Sequence, residues 1–254
     1  MIRFSEDIDI TVDVDNCSNT QRQKRLKNSA KYESLPRTNN KTLETCKRDT
    51  ITYVYEYDPI TSIDAYDRLQ RFGRVKVEAT SFTVSKPYEP IQISFLIYSE
   101  ASSAQQKILE TEFDIKPFLI NTIQLERIFS DKIFAAEFYY VRNELFDTAK
   151  HLFDLSVMME LPGIRKMMSD PDMFLEMLSF KRDEERERIG SDLSEKRFSD
   201  FCLYASVNED KNLQTAFREM QEIYVFKQED MMEFSDMKRK IRDLNCVLVD
   251  LDTK

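Results

Sequence analysis

The chain has 254 residues, of which 41% are hydrophobic and 33% are charged, a balance typical of a folded protein with one large domain or two smaller ones. Its 3 glycines are too few for the glycine-rich loops with which Walker and Rossmann proteins hold phosphates, so both classes are excluded. The net charge of -9 gives no overall attraction to nucleic acid, and any contact with a phosphate backbone requires a local basic patch.

The supply of metal-binding and nucleophilic side chains is narrow. His151 is the only histidine, and the four cysteines are too scattered for a zinc site or a redox pair. A metal site in this protein must therefore use oxygen ligands. No apolar run reaches membrane-spanning length, and acidic residues replace the apolar core of a signal peptide, so we expect a cytoplasmic protein with no membrane contact.

Residues 2–15 alternate between apolar and polar side chains, which predicts a β-strand with a carboxylate face. The apolar face comprises Ile8, Ile10, Val12 and Val14, and the polar face comprises Asp7, Asp9, Thr11, Asp13 and Asp15. Residues 21–31 are basic and contain no helix breaker, so they predict a short exposed helix that carries the best cationic patch of the chain. Residues 34–50 predict an irregular connection.

Three further segments predict strands, at 51–57, 74–80 and 91–98, and together with the first they indicate a small mixed or antiparallel sheet. In the 74–80 segment, Val75 and Val77 point to one face. Arg74, Lys76 and Glu78 point to the other face, so a second carboxylate lies on a polar strand surface.

After Pro117 the apolar residues recur at intervals of three and four, which predicts helices. Pro162 and Pro171 interrupt this helical region, and a run of charged residues occupies 181–188. We therefore predict an α+β fold, with a sheet-containing α/β core over residues 1–116 and a helical domain over residues 117–254.

Asp7 and Asp9 lie two residues apart on a predicted strand, so their carboxylates project from the same face, about 7 Å apart at the backbone. With Glu78 from a neighbouring strand, they could hold Mg²⁺ for phosphoryl transfer, Glu78 serving as a further ligand or as a base. The same pattern also fits a polar strand face exposed to water. A calcium loop is excluded, because the required glycine and terminal glutamate are missing.

A second polar group lies on the helix predicted around residues 146–157, where Asp147, Lys150, His151 and Asp154 share one side. This stripe could form a wall of a site or an ordinary solvated face. Lys132 on the preceding helix could likewise meet a nucleotide phosphate as a point charge or lie unremarkably at the surface.

Several segments, in order along the chain, resemble the AbiEii/AbiGii-type nucleotidyltransferase toxins. The first, Arg3-Phe4-Ser5-Glu6-Asp7-Ile8-Asp9-Ile10, is similar to the Arg-x-Ser-x-Asp-x-Asp segment of that family. The later similar segments are the strand that ends in Glu78, the stretch from Leu125 to Lys132 with Ala135, Ala136 and Arg142, and the stretch from Lys150 to Leu155.

The resemblance implies a polymerase-β-like core in which Asp7, Asp9 and Glu78 form a catalytic acidic centre that binds Mg²⁺, or Mn²⁺ in its place. It also implies nucleotide-binding roles for Arg3, Ser5, Lys132, Lys150 and Asp154. The expected activity is transfer of a nucleotide from a nucleoside triphosphate to an acceptor. Some relatives modify transfer RNA, which makes that RNA a candidate acceptor, and toxins of this kind are paired with a cognate antitoxin protein.

Family members carry a helix and a Gly-Gly-Thr/Ser phosphate-binding segment ahead of the Arg-x-Ser-x-Asp-x-Asp motif, whereas this sequence starts at Met1-Ile2-Arg3. We therefore expect an N-terminally truncated member, whose activity requires that the phosphate-binding segment be dispensable. The alternative is a catalytically inactive fragment, or an interaction module whose helical half binds the antitoxin.

Overall fold

The computed structural model describes residues 7–59, 73–82, 86–207, 210–225 and 227–253 of the chain. Arg3 and Ser5, two of the predicted nucleotide-binding residues, lie outside these ranges. The strands are β1 (Asp7–Thr11), β2 (Thr45–Cys46), β3 (Thr50–Glu56), β4 (Arg74–Thr80), β5 (Tyr88–Ile93) and β6 (Phe118–Ile123).

The helices of the first half are α1 (Asn19–Ala30), α2 (Leu96–Glu100) and α3 (Ser103–Phe113). Those of the second half are α4 (Leu125–Tyr140), α5 (Leu145–Met158), α6 (Pro162–Ser169), α7 (Pro171–Glu184), α8 (Cys202–Ser206), α9 (Lys211–Tyr224) and α10 (Phe234–Leu251). The predicted α+β class is therefore confirmed. No helix in the described ranges is both long and apolar enough to cross a membrane.

A mixed four-stranded sheet is built in the order β1-β4-β3-β2. β1 pairs with β4 in parallel, whereas β4 pairs with β3 and β3 with β2 in antiparallel fashion. The sequence predicted β3 and β4 almost to the residue. Of the strand predicted over residues 2–15, residues 2–6 lie outside the described ranges and the strand ends at Thr11, although the Val12 N–H still donates to the Thr80 carbonyl and Val12 and Val14 are buried as the alternation requires.

Helix α1 covers one face of this sheet. Ser18 caps its N-terminus in a reciprocal arrangement with Gln21, and Leu26 and Ala30 are fully buried. They pack in a core cluster with sheet residues that include Tyr55, whose hydroxyl donates to the Ala30 carbonyl over 2.7 Å. The opposite face of the sheet, which carries the acidic side chains, is thereby left for the rest of the molecule.

β5 and β6 form a separate antiparallel ribbon, with α2 and α3 between them in sequence. Two predictions were wrong here. The strand predicted over 91–98 ends at Ile93 and is followed by helix α2, and β6 lies where the helical region was expected to begin. Large apolar side chains of this unit are exposed, among them Ile97 at 60%, Phe113 at 65% and Leu119 at 70%.

The helices of the second half surround their own core of buried apolar residues. α4 and α5 pack side by side, and α7, α9 and α10 complete the bundle. Pro162 and Pro171 occupy the first turns of α6 and α7, where the missing N–H costs nothing, so the predicted interruptions are confirmed as helix starts. Arg188 links the two halves, because its guanidinium donates to the Ser81 carbonyl and to Asp15.

Candidate functional site

The parallel pairing of β1 with β4 brings the predicted acidic residues onto one face. In the register, Asp7 lies opposite Lys76 and Asp9 lies opposite Glu78. Because side chains alternate along each strand, all four point to the same side of the sheet. The sequence had predicted the shared face of Asp7 and Asp9 and the polar face of Glu78 separately, and the register joins them.

Lys76 lies between the carboxylates. Its Nζ is 2.9 Å from Asp7 Oδ2 and 3.5 Å from Glu78 Oε2. On the far side of Glu78, the Thr52 hydroxyl of β3 donates to Glu78 Oε2 over 3.2 Å. The glutamate is therefore held from both sides, by a cation on its own strand and by a hydroxyl on the next strand.

The carboxyl group of Asp9, on this face, has its pKa raised from 3.8 to about 6. Although part of the side chain reaches solvent, loss of water around it is the largest cause, followed by the negative charges of Asp7 and Glu78. Lys76 and Lys132 partly offset these effects. The face therefore concentrates negative charge at Asp9 that the nearby cations do not fully balance.

This shift predicts a pH-dependent gain in stability for Asp9→Asn in metal-free protein. The native pKa of about 6 exceeds the ordinary value of 3.8, so the folded chain binds more protons than the unfolded chain between these pH values. The stability associated with Asp9 is therefore present below the lower value and is lost as the pH rises through 6. In EDTA, the variant is expected to melt above wild type at neutral pH and to lose that advantage near pH 4.

Calorimetric melting curves over this pH range measure the difference between the two chains. Asp243→Asn, at an exposed position of α10, is the control for loss of one surface carboxylate. A stability difference between Asp9→Asn and wild type that does not change with pH would contradict the electrostatic origin.

Helices α4 and α5 bring a second set of polar residues toward the acidic face. Lys132 of α4 donates to Asp154 Oδ2 of α5 over 2.6 Å, and the Lys132 side chain is 20% exposed. Lys132 also lies close enough to Asp9 to lower the pKa of that carboxyl group. About two turns further along α4, the Tyr139 ring stacks on His151 of α5 with ring centres 5.3 Å apart.

Tyr139 is also near the sheet, because the charge of Glu78 is among the causes that raise its pKa, after burial, Asp147 and Glu144. In the polar stripe of α5, Asp154 and His151 thus contact residues of α4, whereas Asp147 and Lys150 pair with each other. Lys150 pairs with Asp147 over 2.8 Å and lies 5.3 Å from the centre of the Tyr224 ring, on α9. The described contacts of Lys150 are therefore with the helical bundle.

The donor chemistry of the acidic face suits a hard divalent cation, because Asp7, Asp9 and Glu78 offer carboxylate oxygens from two hydrogen-bonded strands. Within the described ranges, however, no group of three or more acidic, histidine or cysteine side chains is closed up around one point as a metal shell would be. The Lys76 ammonium contacts two of the three carboxylates. The residues fit such a cation in kind, and Lys76 would have to move for all three to reach it.

The whole length of this arrangement falls within one family model. Residues 1–243 match the model described as nucleotidyl transferase AbiEii toxin, Type IV TA system. The chain belongs to the AbiEii family. The resemblance drawn from the sequence is thereby confirmed, and so are a toxin-antitoxin nucleotidyltransferase as the class of protein and a cognate antitoxin as the class of partner. No curated protein and no solved structure matches the chain.

In this AbiEii protein, six of the eight predicted site residues lie at positions that the structure describes. Five of them lie at or next to the acidic face of the sheet: Asp7, Asp9, Glu78, Lys132 and Asp154. Lys150 lies next to aromatic rings of the helical bundle. Lys76 and Tyr139 were given no role from the sequence. The signal for Lys76 was present, because it shares the polar side of its strand with Glu78, but its pairing with Asp7 depends on the register between strands.

Proposed function

We propose that this AbiEii protein is a metal-dependent nucleotidyltransferase that transfers a nucleotide from a nucleoside triphosphate to an acceptor. The observation that carries the proposal is the alignment of Asp9 with Glu78 across two parallel strands, within electrostatic reach of Lys132. Family membership supplies the reaction class, and this geometry supplies the residues that would perform it in this chain.

Asp7, Asp9 and Glu78 would hold the divalent cation, which is Mg²⁺ or Mn²⁺. When bound, such a cation neutralises triphosphate charge and favours departure of pyrophosphate. In the transfer, an acceptor hydroxyl oxygen forms a bond to the α-phosphorus as the bond to the β-phosphate oxygen breaks. Glu78 would serve either as a ligand or as the base that takes the hydroxyl proton, and the hydrogen bond that the Thr52 hydroxyl donates to it would limit its movement.

Lys132 and Asp154 would serve the nucleotide side of the site. A lysine ammonium is a compact charge on a flexible stem, so it can contact phosphate oxygens while a carboxylate limits its excursions. Asp154 provides that restraint over 2.6 Å. Lys150 stays a predicted nucleotide-binding residue, and Arg3 and Ser5 stay predictions outside the described residues.

Transfer RNA is our candidate acceptor, and helix α1 supports it. Lys24 and Lys27 of this helix are exposed and line a shallow surface groove together with Gln23 and Asn28. Two other basic residues are engaged locally, since Arg22 pairs with Asp49 and Lys31 pairs with Glu33. Lys24 and Lys27, with Arg25, whose guanidinium donates to the Asp13 carbonyl over 2.8 Å, make a modest phosphate-binding patch on an otherwise acidic protein.

The proposal predicts that Mg²⁺ together with a nucleoside triphosphate stabilises the folded chain. A ligand present at a hundred times its dissociation constant adds about 2.7 kcal/mol, which corresponds to roughly 5–10 °C in melting temperature for a protein of this size. Asp9→Asn should abolish the shift, because it removes a carboxylate at the centre of the proposed cation site. Thermal melting with each nucleotide in turn is the measurement.

Asp243→Asn is the matched control, since it removes an exposed carboxylate on α10 and should keep the full shift. Identical responses of wild type and Asp9→Asn to every nucleotide would refute the site.

The second candidate function is an inactive module that binds the antitoxin, and the exposed apolar side chains of the β5–β6 unit favour it. A chain that co-purifies with its antitoxin but shows no nucleotide-dependent shift would be that module.

A further inference from the structure

Lys76 occupies the centre of the acidic face. It precedes Glu78 by two residues on β4 and lies opposite Asp7 on β1, so its side chain rises from the sheet between the two carboxylates. It is the only cation of the described chain whose ammonium is in ion-pair distance of two members of the proposed metal-binding set. Its side chain is 40% exposed, which leaves a path to solvent.

The role of this ammonium follows from the charges around it. Three carboxylates on adjacent strands repel one another at short range, and a cation among them offsets the repulsion. A lysine ammonium carries one charge and cannot replace the oxygen shell that a divalent cation requires, with ligands at about 2.0–2.1 Å. Lys76 therefore compensates the acidic face and at the same time fills the space between two of its ligands.

We propose that Lys76 is a tethered counter-ion that competes with the divalent cation for the acidic face and must withdraw toward solvent before that cation binds. This inference rests on the proposed function, because it takes Asp7, Asp9 and Glu78 as the cation site. As a consequence, in the absence of a divalent cation the Lys76 ammonium occupies the space between Asp7 and Glu78. The free-energy cost of displacing Lys76 then weakens binding of the divalent cation. The nucleoside triphosphate, which is anionic, can attract the released ammonium.

The inference predicts that Lys76→Gln binds Mn²⁺ at least tenfold more tightly than wild type. Glutamine keeps most of the side-chain length and removes the competing charge. Free Mn²⁺ in solution is measured by electron paramagnetic resonance during titration of the full chain without nucleotide. Lys116→Gln is the matched control, because it removes a lysine that pairs with Asp114 over 2.7 Å at an exposed site, and it should bind as wild type does.

Addition of Asp9→Asn to Lys76→Gln should remove the gained affinity, which separates binding at this face from a general effect of net charge. The Lys76→Gln chain is also expected to melt below wild type in EDTA and to recover with Mn²⁺, which provides a second readout if the variant folds weakly. Equal or weaker binding by Lys76→Gln would overturn the inference, as would a gain that survives Asp9→Asn.

The wild-type arm distinguishes the inference from the proposed function. Wild type that binds Mn²⁺ while Lys76→Gln shows no gain leaves the function standing and refutes the role of Lys76. Wild type that binds weakly while Lys76→Gln binds tightly supports the role of Lys76. Absence of binding in both chains refutes the competition, and it also removes the metal site from the proposed function.

Discussion

Replacement of Arg127 with methionine is expected to lower the free energy of unfolding by about 3–5 kcal/mol. Arg127, on α4, is completely buried, and its Nη2 donates to Glu184 Oε2 of α7 over 2.8 Å. It also pairs with Asp131 one turn away. Burial lowers the pKa of Arg127, and the charges of Glu184 and Glu185 act against that effect and keep the guanidinium compensated.

The expected loss is large because the partners of Arg127 stay behind. Glu184 is 1% exposed, and after the substitution it retains Lys181, whose Nζ lies 2.5 Å from Glu184 Oε1, as its described cation. A buried carboxylate that loses a compensating cation is costly, whereas removing the carboxylate charge together with that cation costs much less. Arg127→Met combined with Glu184→Gln should therefore recover much of the lost stability.

Urea unfolding at constant slope measures these differences. Arg165→Met provides the control, because Arg165 pairs with Glu160 at an exposed site and its loss should cost about 0–1 kcal/mol. If Arg127→Met is as mild as the control, or if the double variant is no better than the single one, the buried network does not stabilise the packing of α4 against α7.

This network also shows where sequence reasoning stopped. The sequence showed residues 181–188 only as a run of charged residues, and it gave no sign that Lys181, Glu184 and Glu185 are buried. Charge composition alone cannot reveal this, because burial depends on whether another helix supplies compensating charges. Arg127, which supplies one, lies 57 residues away in the sequence.

Local pattern was a good guide where one physical cause dominates. Proline at first turns located the starts of α6 and α7, and strict alternation located β4 and the common side of Asp7 and Asp9. It failed at β6, because the apolar side chains of that strand lie largely in solvent and carry no clean alternation of burial. The strand predicted over 91–98 extends past the end of β5 into α2, because the apolar residues Phe95, Leu96 and Ile97 are equally compatible with a strand.

The composition of the candidate site depended on pairing that local pattern does not contain. Alternation predicted on which side of its strand each acidic side chain lies. The register of β1 against β4 determines that Asp9 lies opposite Glu78 and that Asp7 lies opposite Lys76. A shift of one residue would have sent Lys76 and Glu78 to the opposite side relative to Asp9. The resemblance to the family could name the acids in advance, but it gave no indication of the lysine between them.

Lys132→Met is expected to lower the rate of nucleotide transfer by about 10²–10³-fold while leaving the fold intact, as for loss of one charged donor from a preorganised site. The expectation rests on the proposed function and on position, since Lys132 pairs with Asp154 over 2.6 Å and acts on Asp9. Asp154→Asn should reduce the rate less, because the ammonium survives and only its restraint is weakened. Release of pyrophosphate from a labelled nucleoside triphosphate, with Mg²⁺ and bulk transfer RNA, measures the rate.

The chain offers a closely matched control in Lys240→Met. Lys240 of α10 is 15% exposed and Lys132 is 20% exposed, and Lys240 pairs over 2.7 Å with Glu160, whose side chain is more exposed than that of Asp154. Lys240 is not among the cations that act on Asp9. Its replacement should therefore remove a half-buried lysine and its ion pair without any loss of rate. Wild-type rates for Lys132→Met, or an equal loss for Lys240→Met, would remove Lys132 from the nucleotide site, because the effect would then follow from weakened helix packing and not from proximity to the acidic face.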